Sequence, residues 1–139
     1  MTVLNSIIEW LKGFNPHEHA KMKSINTDIL AARANSYCLV KEPTINKKTY
    51  ISGKTIATEH YTLSALFPSF EDTERVANNE WGELLEKWVY EQNKDLNFPV
   101  IEGATVKNID VSTPFYRGKT MDNESVYQMT LSIKYEKEN

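Results

Sequence analysis

Apolar residues near the start of the chain, Val3, Leu4, Ile7, Ile8, Leu11 and Phe14, recur at spacings of three and four. That spacing predicts an amphipathic helix from Thr2 to about Phe14, with Thr2 as its cap. Asn15 and Pro16 should end it, because the residue before proline avoids helical angles and proline has no donor to continue the ladder. The stretch from His17 to Asn35 is ambiguous: Met22, Ile25, Ile29 and Leu30 fit a short helix, whereas Asn26 and Asp28 favour turns. Ser36 to Lys41 reads as a short strand. Glu42 to Lys54, with Pro43, Asn46 and Gly53, reads as a polar connection, either an exposed hairpin arm or a loop.

A long strand is expected from Thr55 to Phe67. One face presents Ala57, Tyr61, Leu63, Ala65 and Phe67, interrupted by Glu59, while the other is mostly Thr, His and Ser. Pro68 stops it, and a helix beginning at Ser69 or Asp72 should run to about Asn93 on a stripe of Val76, Trp81, Leu84, Leu85, Trp88 and Val89. Glu71, Asp72 and Glu74 sit at its start, where the helix dipole favours negative charge. Val100 to Ser112 predicts a strand with a bulge or break near Gly103, and Thr113 to Glu124, carrying Pro114 and Gly118, a loop. The last strand has the clearest period of two: Tyr127, Met129, Leu131, Ile133 and Tyr135 alternate with Gln128, Thr130, Ser132 and Lys134. The expected fold is α+β: a mainly antiparallel or mixed twisted sheet of about four strands, with two amphipathic helices packed on one face.

A chain of 139 residues, 40% hydrophobic and 25% charged, suits one soluble domain over residues 1–139. Mean hydropathy is -0.52, and no apolar run approaches the ~20 residues of a bilayer span, so no membrane association is expected. Glu9 and Lys12 interrupt the first apolar stretch, which argues against a secretion signal. With Cys38 as the single cysteine, an intramolecular disulfide and a multi-cysteine zinc site are both excluded. The net charge of -3 argues against a protein whose main affinity is for phosphate backbones. Charge is segregated, however. Residues 1–54 carry eight Lys/Arg against four Asp/Glu, and residues 71–95 carry three against eight. Such a division suits a heterologous contact between the basic face of one copy and the acidic face of the next, or simply a solvated surface.

Catalytic and metal signatures are sparse. His17 and His19 form an HxH pair with no Cys or second His cluster nearby, so exposed loop histidines compete with two metal ligands. His60 lies on the polar face of the long strand, and Cys38, between Tyr37 and Leu39, reads as a small core hydrophobe. The five glycines are isolated from one another, so no phosphate-cradling loop is present. Lys47 and Lys48 with Tyr50, and Arg117 with Phe115 and Tyr116, make two small basic and aromatic patches. Trp81 and Trp88, seven residues apart, are expected to anchor the core. No catalytic residue, metal or cofactor is assigned.

Several segments carry a likeness to a known family. These are KKTYISGKTIATEHYTLSALFPS from Lys47 to Ser69, ANNEWGELLEKWVYEQN from Ala77 to Asn93, Pro99, and the closing SVYQMTLSIKYEKE. In this order, over roughly residues 36–138, they resemble the tail terminator (tail completion, or minor capsid) proteins of tailed bacteriophages and phage-tail-like particles. His17 to Asn35 departs from the likeness. The resemblance implies a structural subunit assembled in the host bacterial cytoplasm into a ring, usually a hexamer. That ring caps the head-proximal end of the tail tube, ends its polymerisation, and docks a head-tail connector or neck protein, with the sheath a further partner in contractile tails. DNA would only pass through the lumen, and the mechanism would be binding without turnover. On this reading Glu42 to Lys54 and Thr113 to Glu124 supply the ring or tube interface, through Lys47, Lys48, Tyr50, Phe115, Tyr116 and Arg117. Alanine at Phe115 and Arg117 should then weaken the ring and leave circular dichroism unchanged. The acidic helix face, with Glu80, Glu83 and Glu86, either lines the lumen and repels passing DNA or faces solvent. A small-ligand-binding or enzymatic α+β domain using His60 and the Tyr-rich strands is the alternative, and a nucleic-acid-binding accessory protein a third.

Overall fold

The computed structural model describes residues 2–15, 22, 24–32 and 35–138. In chain order the elements are α1 (Val3–Leu11), β1 (Ile25–Thr27), β2 (Ser36–Thr49), β3 (Thr55–Pro68), α2 (Asp72–Lys94), β4 (Ala104–Thr120) and β5 (Glu124–Lys137). All five strands form one sheet in the order β1-β2-β3-β5-β4. β1 runs parallel to β2, and the other neighbours are antiparallel. The fold is therefore α+β with a mixed sheet. The strand beyond the expected four is β1, three residues long, in the stretch the sequence left open. The His17 and His19 pair lies outside the described residues. Among the described residues no helix is long and apolar enough to cross a membrane.

Local signals account for the helices. Thr2 caps α1, its side-chain oxygen accepting from the Asn5 N–H at 3.1 Å. The helix stops at Leu11, short of Phe14, and tight turns at Gly13 and Phe14 still deliver the Phe14 ring to the core. α2 starts with a reciprocal capping box between Glu71 and Glu74 and carries Lys94 in its last turn, both favourable to its dipole. Val76, expected on the apolar stripe, faces solvent, because the buried face turns through Asn78, Trp81, Leu85 and Val89.

The period of two in β3 and β5 is realised as one buried face: Ala57, Tyr61, Leu63, Ala65 and Phe67 beside Tyr127, Met129, Leu131 and Ile133. Both helices pack on it through aromatic contacts. Trp81 of α2 meets Phe14, Tyr37, Phe67 and Phe115 with ring centroids 5.1–5.8 Å apart. Trp10 of α1 lies 4.6 Å from Trp88, and its indole N–H bonds to the Asn97 carbonyl at 2.8 Å. Trp81 and Trp88 thus anchor the core, although Trp88 is only half-buried. The opposite face is half-exposed over much of its length and closes only near β1, where Ser36, Cys38, Ser64 and Leu66 are buried.

Two connections turn out to be strand. Thr113 to Glu124 is not a loop: β4 continues to Thr120, and only Met121 to Asn123 turn before β5. Pro114 and Gly118 are tolerated because β4 is an edge strand, and its register shifts between Thr113 and Tyr116 and between Arg117 and Thr120. The expected break at Gly103 is the turn before β4, with φ +75. Of the two readings for Glu42 to Lys54, the hairpin arm is the one observed. β2 shifts register around Pro43, pairs Ile45 to Thr49 with β3, and turns at Tyr50 to Lys54, where Gly53 takes φ 89.

Candidate functional site

The outer half of β2 and the turn that follows it form a strongly exposed arm of the β2–β3 hairpin. From Pro43 to Thr49 every residue of β2 is exposed, and the tip carries Tyr50 and a fully exposed Ile51. The Lys48 ammonium sits 5.2 Å from the centroid of the Tyr50 ring, a cation–π geometry that orders the basic side of the tip. Lys47 is exposed beside it. Beside the hairpin turn Glu136 bridges Lys54 at 2.7 Å and Lys107 at 3.5 Å. That hydrogen bond to Glu136 raises the Lys54 pKa and lowers that of Glu136, so both stay charged over a wide pH range.

The second expected patch divides. Tyr116 and Arg117 are exposed, with the Tyr116 hydroxyl donating to Gln128 Oε1 at 3.0 Å. Phe115 is a packing residue: its ring stacks on Tyr127 at 5.3 Å and 8°, and its N–H bonds to Glu86 Oε1 at 2.6 Å. Alanine at Phe115 would therefore remove packing between β4, β5 and α2 as well as any contact with a neighbour. Glu86 is held by the same bond, whereas Glu80 and Glu83 are exposed on α2. The two patches are not brought together. The hairpin tip adjoins the end of β5 at Lys137, and Tyr116 and Arg117 pair with Gln128 and Tyr127 towards the opposite end of the sheet.

At that opposite end, a groove of ≈ 560 Å³ opens between the start of α2 and the β4–β5 turn. Pro68, Phe70, Glu71, Glu74, Asn123 and Glu124 line it. Its walls are fixed by buried polar bonds. Asn78 Nδ2 donates to the Pro68 carbonyl at 2.8 Å, Ser69 Oγ and Ser125 Oγ lie 2.6 Å apart, and the Ser69 N–H reaches the Asn123 carbonyl at 2.9 Å.

Sequence reasoning missed the chemistry around Glu59. This carboxylate is 3% exposed on the apolar face of β3 and accepts from the hydroxyls of Tyr61 at 2.7 Å and Tyr135 at 2.5 Å, with Lys41 Nζ at 3.6 Å. Burial pushes its pKa up, but the Tyr135 and Tyr61 hydroxyls and the Lys41 ammonium outweigh it and hold the carboxyl below its ordinary value. Burial and Glu59 together push both phenols up, so they remain donors. The available signal was the interruption of an apolar face by a carboxylate two residues before a tyrosine. The set is satisfied and closed, which suits a structural pin.

The other candidates are quiet. Cys38 is buried, and desolvation raises its thiol pKa against the weaker effect of a Ser64 hydrogen bond, so the thiol stays protonated at neutral pH. His60 is half-buried opposite Ser132. Among the described residues no group of three His, Cys, Asp or Glu is placed to hold a metal ion. Comparison with protein-family models and with curated proteins found no match to the chain.

Proposed function

We propose that the chain is a tail terminator subunit, which forms a ring, six copies in the usual case, on the head-proximal end of a phage or phage-like tail tube. The order of segments quoted above suggests the family. The structural observation that supports it is the length of β2 and β4 beyond what the core uses. Strands of about 5–6 residues suffice for most sheets, whereas β2 has 14 residues and β4 has 17. Pro43 to Thr49 is exposed throughout, as is Ser112 to Thr120 apart from Phe115. A monomer gains little from such extensions, and a subunit that meets neighbours along them gains complementary surface.

On this reading the ring stops tube growth by covering the face to which the next tube layer would add, and its other face receives the connector or neck protein. Sheath would meet its rim in a contractile particle. Glu80 and Glu83 would line the opening, where like charge keeps passing DNA from sticking. The role is binding without turnover, at the tail of the particle after assembly in the host cytoplasm.

The test adds the purified chain to growing tail tubes of its own particle, with sedimentation velocity in parallel. A closed oligomer, together with tubes that stop lengthening and carry a collar at one end in negative stain, is the expected outcome. A chain that stays monomeric at high concentration and leaves tube growth unchanged overturns the proposal.

A further inference from the structure

The two ends of β3 differ in charge, and each exposes apolar side chains. At one end the hairpin tip presents Tyr50 and the fully exposed Ile51 between Lys47 and Lys48 and the turn at Gly53. Exposed apolar side chains at a turn, flanked on the β2 side by Lys47 and Lys48, have the composition of an interface anchor. At the other end the groove has an apolar wall of Pro68 and Phe70, the latter 68% exposed, and a rim of carboxylates from Glu71, Glu74 and Glu124. The hydrogen bonds to the Pro68 carbonyl, to Ser69 and to the Asn123 carbonyl fix the backbone at the floor of the groove, which lowers the ordering cost of filling it.

The chain cannot fill its own groove. β3 spans 14 residues between tip and groove, which at ~3.4 Å per residue separates them by about 44 Å. The occupant must come from another molecule, and a second copy brings the matching element: apolar against apolar, lysine against carboxylate.

We infer that the Tyr50–Gly53 tip of one copy seats in the Phe70 groove of the next. This contact joins two different patches, so repetition propagates head to tail and closes when the rotation allows. The inference rests on the ring reading and names the surfaces that close it.

Introducing Ile51→Cys together with Phe70→Cys tests the contact directly, the native Cys38 being buried. Under mild oxidation a ladder of disulfide-linked oligomers is expected on a non-reducing gel, with neither single variant producing one. Lys48→Glu is expected to raise the concentration for half-assembly about tenfold, with Glu124→Lys in the same chain restoring it. Assembly that persists with no 51–70 cross-link and no response to Tyr50→Ser with Ile51→Ser overturns the contact and leaves the ring reading standing. If those two serines spare the ring but abolish tube capping, the tip meets the tube, and the contact is again overturned. A chain that is monomeric at every concentration overturns both.

Discussion

The Phe115 ring occupies the space that a side chain at Gly82 would need: a Cβ on Gly82 would lie 2.1 Å from Phe115 Cδ2. A glycine inside a helix costs about 1 kcal/mol relative to alanine, and here that cost admits an edge-strand aromatic to the surface of α2. The same ring stacks on Tyr127 and meets Trp81, so the pair ties β4 and β5 to the helix.

Gly82→Ala is therefore expected to destabilise the chain by about 1–3 kcal/mol despite its better helix propensity. Phe115→Ala should cost about 2–4 kcal/mol through lost packing. The two should be strongly non-additive. With Phe115 truncated the steric conflict disappears, and Gly82→Ala should then stabilise by about 0.5–1 kcal/mol. Urea denaturation of the four proteins in the cycle measures this, and additive losses would contradict the contact.

Acid sensitivity should be traceable in part to Glu59. Its folded carboxyl binds a proton more weakly than the ordinary glutamate of the unfolded chain, whose pKa is ~4.3. The stabilisation is complete above that value and is lost as pH falls through the lower folded one. At neutral pH Glu59→Gln should cost roughly 1–3 kcal/mol, because the hydroxyls of Tyr61 and Tyr135 lose a charged acceptor. The gap between wild type and variant should narrow as pH drops below about 4. A gap that stays constant from pH 7 to pH 3 would show that Glu59 is not the group concerned.

Much of the frame was legible because its signals are local. Thr2 and the apolar spacing gave α1, the alternation from Tyr127 to Tyr135 gave β5, and Pro68 with the acidic start of α2 marked that junction. Misread segments are those where tertiary context overrides composition. Pro114 and Gly118 spell a loop in isolation but are accommodated on an edge strand, whose outer hydrogen bonds have no partner to lose. β1 exists only because Ile25 to Thr27 pair alongside Tyr37 to Leu39. Phe115 looked like a surface aromatic because the space it fills is made by Gly82, far away in sequence. The groove is equally non-local, joining Phe70 to Asn123 and Glu124.

Asn78 supports that groove from below. It is buried, donates to the Pro68 carbonyl at 2.8 Å, and lies 3.3 Å from the Tyr127 hydroxyl. Asn78→Leu removes the donor and leaves a carbonyl and a phenol short of a partner, which should cost about 1–3 kcal/mol. Amide exchange should accelerate first at Ser69, whose N–H bonds to the Asn123 carbonyl. If exchange there stays unchanged, Asn78 does not hold this end of the sheet.

Tyr116 and Arg117 offer the cleanest separation of assembly from folding. Both are exposed, and beyond the Tyr116 bond to Gln128 neither supports the core. Tyr116→Ala with Arg117→Ala should therefore change unfolding free energy by no more than about 0.5 kcal/mol, the usual range for surface substitutions. Because the fold is spared, oligomer mass by native mass spectrometry becomes a direct reading of this edge of β4. Loss of the oligomer at unchanged stability would place the β4 edge in the subunit contact. An intact oligomer would exclude these two side chains from it and leave the hairpin tip to carry the contact.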